Sequence, residues 1–492
     1  MVKKELGIGL LIAAASFALY SIGTDQRGLI GPDEPRYAAI ARTMADSGDW
    51  TTPRLAGEPW FEKPALLYWM GAVSELVGFG GDTATRLPVA LLSAVFLFFY
   101  FVRLRNAFGL EAATFASLVL ATSAGWAAFS QAGVFDLPLT ATLCGALLML
   151  MEWSEQPSRT GLLAWFGALL GLAVLSKGLA GPAVAAVAAL AVCRERGFAT
   201  TAKALFGARA LGAFLAVAGP WYVLCYLENG SAFVDELFWR HHVERLVSDS
   251  IQHVQPFWYY LPVIAVGLAP WTPLLFAVGR EELRRDSRAR FLAFWALATL
   301  VVFSLSRNKL PGYVLPALPP LAALIGLRLS RRPPPGALLA ASASLLLLFP
   351  LTAELLPRAL ADGLGRAWPL KNFPWAATAA AGLATVAVAG AALRGRAQLS
   401  AAVLAATAAA GLIYLKMQSF TALDKHAGAR TLWSRIEPRL ERACLGEVRR
   451  HVAYGLGYYS RDRLLSCEGE SREWRVEGDP PQISSSGSIS RP

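Results

Sequence analysis

The sequence predicts an all-α polytopic membrane protein, and three observations carry that expectation. Only 16% of the 492 residues are charged and 55% are hydrophobic, against about 25% charged in soluble proteins. The apolar residues gather into runs of roughly 18–22, each long enough to cross ~30 Å of hydrocarbon. Segments such as 338–349 show no polar face, whereas a membrane β-barrel alternates polar and apolar residues in strands of ~10.

Thirteen candidate spans follow in order: 6–22, 84–102, 111–129, 134–151, 161–176, 178–194, 205–227, 257–279, 289–306, 310–328, 336–356, 373–393 and 398–417. The first begins MVKKE, and Lys3 and Lys4 favour a cytoplasmic N-terminus. A basic start also suits a signal peptide. The apolar stretch is long for one and no A-x-A site follows, so an uncleaved anchor is expected. Counting crossings from that start places Arg103 and Arg105, Arg194 and Arg196, Arg280 to Arg290, Arg328 to Arg332, and Arg394 and Arg396 in inner loops. That is the expected bias for basic residues. Spans 161–176 and 178–194 are short and read either as two crossings or as broken helices around Lys177 and Gly178.

The odd count puts the chain from about Gln418 outside. The expected organisation is a membrane domain over 1–417, a small α/β domain over 418–478 with alternating segments such as HVAYGLGYYS, and a disordered tail over 479–492. Cys144, Cys193 and Cys225 fall in spans and read as core residues. Cys444 and Cys467 fall in the outer domain, where a disulfide and two free thiols both remain open. The net charge of +11 does not point to nucleic acid. The arginines sit in short loops, and no basic face interleaved with aromatics is present.

Polar residues near the membrane collect on the predicted outer side. Residues 31–64 are rich in carboxylates, costly at a bilayer surface unless used. Within them YAAIARTMADSGDW reads as an amphipathic interfacial helix with Tyr37, Ile40, Ala41 and Met44 on one face, and WFEKPALLYWMGAVSELVG as a second. Asp33, Glu34, Glu62, Lys63, Asp136, Lys177, His241, His242, Arg245, His253, Lys309 and Tyr313 all fall on this side. Each has a structural alternative. Asp33 and Asp136 suit helix N-caps, and Glu62 with Lys63 suits a snorkelling pair. The histidine pair suits an interfacial surface, and Arg245 and Lys309 suit lipid headgroups. Their convergence on one face favours a site.

The segments DEPRYA (33–38), SGDW (47–50), FEKP (61–64), FDLPLT (135–140), SKGLAGP (176–182), HHVERL (241–246), PFWYYLP (256–262) and SRNKLPGYVLPALPPLA (306–322) carry a resemblance. In this order the chain resembles the lipid-linked-sugar glycosyltransferases of GT-C fold, in the branch of 4-amino-4-deoxy-L-arabinose transferase and protein O-mannosyltransferase. The resemblance implies a polyprenyl-phosphate sugar donor, undecaprenyl phosphate in bacteria. The acceptor would be lipid A, another envelope glycolipid or a protein hydroxyl, outside the inner membrane. Transfer would invert the anomeric carbon. Asp33 matches the family's catalytic carboxylate, and Asp136 is the second candidate. Lys63, Arg245 and Tyr313 match groups that approach the carrier phosphate, and Arg36 and Lys309 join that candidate set. Glu62 and His242 resemble a glutamate and loop histidine that hold a divalent metal, zinc or magnesium. One Glu and one His leave a zinc site incomplete. No nucleotide is implied. The arabinose-transferase branch has Tyr before FEKP, where this chain has Trp60. A transporter would instead place ionisable residues near span midplanes, and a scaffold would leave the first-loop carboxylates without a use.

Overall fold

In lipid, a backbone can satisfy its own polar groups only as helix or closed barrel. The computed structural model of the chain is accordingly helical at every one of the thirteen expected spans. It describes residues 2–244, 254–367, 370, 373–467, 472–479 and 481–485. Among these, nine helices are long and apolar enough to cross a membrane by length and composition.

The remaining four spans are shorter or broken. Residues 111–129 divide into Leu110–Thr122 and Ala124–Phe129 at the extended Ser123. Residues 257–279 divide into a short helix, Tyr260–Gly267, and a 3-10 turn, Thr272–Ala277. The two breaks meet. The Ala124 amide donates to the Ala269 carbonyl at 2.9 Å, and a side chain on Gly125 would strike Gly267 Cα at 2.9 Å. Irregular backbone at membrane depth is tolerated where it is packed in protein or lines a cavity, and these residues do both. Helices Gly161–Lys177 and Ala180–Arg196 are joined by a tight turn at Gly178, which adopts φ +64°.

Helix α1 is Val2–Ser21, α2 Asp33–Ser47, α3 Leu66–Leu76 and α4 Arg86–Phe108. α2 buries Tyr37, Ile40, Ala41 and Met44, the face expected from the sequence. The centre of the bundle is the helix Asp136–Glu155, buried on all sides from Leu137 to Met151. Its N-terminal end lies under α2, where the Tyr37 and Phe135 rings meet edge to face at 4.8 Å.

The last membrane helix, Ala397–Ala427, runs ten residues past its expected end at 417. A small domain follows. Strand Ala443–Val448 pairs parallel with Trp474–Gly478, which pairs antiparallel with Gln482–Ser485. Cys444 and Cys467 form a disulfide within it. Two details differ from expectation. HVAYGLGYYS is not an alternating strand but most of the helix Arg450–Ser460, burying Val452, Gly455, Leu456 and Tyr458 at helical spacing. Gln482–Ser485, assigned by sequence to the disordered tail, is the third strand, because Ile483 packs on the domain's small apolar core. Residues 486–492 lie outside the described residues.

This domain docks on the first loop. Tyr459 donates to Asp82 at 2.5 Å and accepts from the Leu29 amide at 3.0 Å. Arg42 donates to the Tyr458 carbonyl at 2.8 Å. Asp424, near the end of the last membrane helix, accepts from the Gly28 amide at 2.7 Å.

Candidate active site

The motif DEPR opens α2, so its four residues fan around the first helical turn. The N-cap is Pro32 and no side chain caps the helix; the capping role considered for Asp33 is not the one it plays. Its Oδ1 instead pairs with Arg36, one turn along. Arg36 also donates from Nη1 to Glu62 Oε2 at 2.6 Å and from Nε to the Pro32 carbonyl at 2.9 Å. Glu62 Oε1 accepts from Lys63 Nζ at 2.9 Å. A tight hairpin brings FEKP here. Arg54–Leu55 pairs antiparallel with Glu58–Pro59 across Ala56 and Gly57, both at positive φ.

The result is a line of alternating charges, Asp33–Arg36–Glu62–Lys63. The Arg36 side chain is 4% exposed and those of Glu62 and Lys63 10%, but that of Asp33 is 45% exposed. Asp33 is therefore the open end of an otherwise buried array. Burial disfavours the Arg36 charge, but Glu62, Tyr37 and Asp33 more than offset this and raise its pKa, so it stays a cation. Burial pushes the Tyr37 phenol well above its ordinary range, with Asp33 and Glu62 adding to the effect.

A second group stands beside the first. Asp136 begins the central helix, again without capping it. Its Oδ1 accepts from Lys177 Nζ at 2.7 Å. Lys177 ends the helix Gly161–Lys177, where a cation suits the helix dipole, and lies 4.5 Å from the Tyr313 ring centroid. Asp33 is near enough to Lys177 to act on it electrostatically. Gly312 makes the approach possible, since a Cβ there would fall 2.4 Å from Asp136 Oδ1 and 2.9 Å from Phe129. Gly312→Ala is expected to displace Asp136 and lower activity by up to about 10²-fold, the cost of a misplacement of roughly 1 Å. Wild-type turnover in that variant would mean that the position of Asp136 is not critical.

Lys177 is the functional candidate that the sequence reading placed at the outer turn but left out of its site. The available signal was a lysine ending an apolar run inside SKGLAGP. Glu34 is the opposite case. It lies in DEPR, yet it turns away into a buried cluster and accepts from Arg86 Nε, the Gly133 amide and the Ile30 amide, each at 2.9 Å. Burial raises its carboxyl, but the Arg86 and Arg27 charges reverse this and hold it at about 2. It is a structural ion.

Lys309, counted among the phosphate-binding candidates, is buried and donates to the Ser306 and Gln255 carbonyls at 2.5 and 3.1 Å. It ties its own loop to the segment at Gln255, and its described contacts do not include either acidic group. Arg245 and His253 lie outside the described residues, as do the side chains of His241 and His242, whose backbone ends the π-helical run Asp235–Glu244. Among the described residues no three His, Cys, Asp or Glu side chains group as metal ligands, and both Glu62 oxygens are held by cations.

Comparison with known proteins bears on this geometry. The family described as dolichyl-phosphate-mannose-protein mannosyltransferase matches residues 62–222. An undecaprenyl phosphate-alpha-4-amino-4-deoxy-L-arabinose arabinosyl transferase of Aeromonas hydrophila is 33% identical over 320 residues, 62% of this chain and 57% of that protein. Its namesake in Pseudomonas aeruginosa is 32% identical over 335 residues, 66% of this chain and 60% of that protein. The alignments thus span less than two thirds of these relatives' length. The crystal structure of ArnT from Cupriavidus metallidurans bound to undecaprenyl phosphate superposes over 94% of this chain and 86% of its own, with a TM-score of 0.78 and 26% identity. The chain therefore belongs to the GT-C superfamily that contains the aminoarabinose transferases and the protein O-mannosyltransferases.

Proposed function

We propose that the protein is an inverting glycosyltransferase. It takes a sugar from undecaprenyl phosphate and passes it to an envelope glycolipid of the lipid A type, on the periplasmic face of the inner membrane. The observation that carries this is the exposed Asp33 carboxylate, gripped by buried Arg36 and within electrostatic reach of Lys177, with Lys63 at the far end of the same line of charges. One reactive carboxylate beside several fixed cations suits a reaction in which an anion leaves and a hydroxyl attacks.

The leaving group is a lipid phosphate, already a stable anion, so it needs charge stabilisation more than protonation. Lys63 and Lys177, both largely buried, supply that. Asp33 has Oδ1 engaged by Arg36, and Oδ2 is the oxygen that orients or deprotonates an acceptor hydroxyl attacking from the opposite face of the sugar. If the acceptor is a phosphate, no strong base is needed, and Asp33 steadies the positive charge developing on the sugar. Asp136 holds Lys177 in place. A divalent ion would require Glu62 to exchange an ion pair for a metal bond and to recruit the 241–242 pair. No step is assigned to it.

A lipid substrate has room. An apolar cavity of about 840 Å³ runs along the broken helices and is lined by Phe129, Val263, Pro311, Leu318 and Phe349. Phe129 and Pro311 flank Gly312, and so the wall of the cavity adjoins Asp136. At its polar end Arg27 Nε and Gln131 Oε1 are buried with no hydrogen-bond partner among the described residues, a demand that an amphiphile's head would meet.

The test is transfer of label from a panel of undecaprenyl-phosphate sugars into membrane lipid and protein fractions. Label in lipid supports the reading, label in protein replaces the acceptor, and no transfer from any donor overturns it. Lys63→Ala is expected to weaken donor binding about tenfold or more, the loss of one charge-assisted phosphate contact worth ~1.5–3 kcal/mol. Unchanged donor affinity would remove Lys63 from the phosphate site.

A further inference from the structure

We propose that the C-terminal domain completes the active site by contributing Tyr454, a positioning residue that holds the Arg36 guanidinium and through it Asp33. The proposal rests on the reading of Asp33 as the catalytic carboxylate.

Each of the three guanidinium nitrogens of Arg36 donates a hydrogen bond. Nε donates to Pro32, Nη1 to Glu62 and Nη2 to Asp33. In-plane contacts of this kind leave tilting out of the plane as the remaining freedom. Three aromatic rings surround the group and oppose that motion: Tyr454 at 5.1 Å from Cζ, and Tyr37 and Trp60 each at 5.7 Å. Tyr37 and Trp60 belong to the first loop. Tyr454 does not; it comes from the helix Arg450–Ser460, more than 400 residues along the chain.

That helix is placed by contacts other than Tyr454. One turn on, the Tyr458 ring stacks on Arg42 at 3.9 Å and its carbonyl accepts from the same side chain. Tyr459 is bonded to Asp82 and Leu29. Residues four apart share a helix face, so anchoring Tyr458 on α2 delivers Tyr454 to Arg36. On its own helix Tyr454 meets Arg450, which lies 5.4 Å from its ring centroid and donates to its hydroxyl at 3.4 Å. Docking and positioning are therefore carried by different residues.

The experiment uses the full-length protein in proteoliposomes with undecaprenyl-phosphate sugar and the acceptor found above. Turnover, donor KM and thermal midpoint are read for Tyr454→Phe, Tyr454→Leu and Tyr454→Ala, with Arg36→Lys and Asp33→Asn as references. Tyr454→Phe keeps the ring and is expected to keep kcat. Tyr454→Leu keeps apolar bulk without a π face, and is expected to lose kcat about 10-fold or more with donor KM and thermal midpoint little changed. Tyr454→Ala should do the same. In the Arg36→Lys background, which has no planar guanidinium, Tyr454→Leu is expected to add little. Wild-type kcat in Tyr454→Leu overturns the proposal, as do losses that multiply in the double variant. If Asp33→Asn retains full transfer, the site reading itself fails; if it is inactive while Tyr454→Leu and Tyr454→Ala are fully active, only the role of Tyr454 fails.

Discussion

Asp33→Asn is expected to abolish sugar transfer and leave the fold intact. The change removes one charge and keeps the shape. A positioned general base contributes about 10²–10⁴-fold to a rate, and the loss should fall in that range or below detection. The fold should survive because the Asp33 side chain is 45% exposed and caps nothing. Arg36 keeps its pair with Glu62 and its bond to Pro32. Transfer assays run beside thermal unfolding of the purified protein separate the two effects. Transfer within twofold of wild type would remove Asp33 from the chemistry, and with it the present account of the site.

Glu34→Gln, one residue along, is expected to fail in the opposite way. Its side chain is 4% exposed and that of Arg86 fully buried. Arg86 also donates to the Thr24, Arg27 and Gly28 carbonyls, so the pair fastens the loop between α1 and α2. Removing one partner of a buried pair costs about 3–5 kcal/mol, because the other charge is left uncompensated. The pH dependence has a definite sign. The Glu34 carboxyl is depressed from 4.5 to about 2. Its stabilisation is fully present above the unfolded value and is lost as pH falls through the folded one. Thermal stability from this pair should be level from neutral pH to about 5 and decline below about 4.5, with the decline reduced in Glu34→Gln. A variant as stable as wild type would show that the cluster does not fasten the loop.

The contrast between these neighbours shows how far the sequence could be read. The membrane fold was legible because hydrophobic length is a local property, written in each span. The motifs DEPRYA and FEKP were legible because chemistry crowded into a short loop stands out against an apolar background. What could not be read were the partners. Asp33 and Glu34 are both carboxylates in one motif, and which of them is held as a buried ion depends on Arg86, 52 residues from Glu34. Lys177 meets Asp136 across 41 residues, and a lysine at the end of a span gives no indication of which carboxylate it will face. Lys309 looked like a phosphate ligand by charge alone, and its backbone partners depend on a loop closure that periodicity does not report. The helix Arg450–Ser460 was missed because its glycines and tyrosines, in HVAYGLGYYS, imitate an alternating strand.

The seam between the two ends of the chain also constrains how the protein is made. Lys416 donates to the Leu19 and Tyr20 carbonyls at the end of α1, Asp424 binds the Gly28 amide, and Arg430 pairs with Asp82. Each contact joins a residue synthesised among the first hundred to one synthesised after the four-hundredth. During insertion the contacts that hold the first loop cannot form until the helix Ala397–Ala427 and the residues just beyond it have been made. The candidate site is thus organised only once that helix is in place, and a chain truncated before it would carry the DEPRYA and FEKP motifs without the scaffold that organises them.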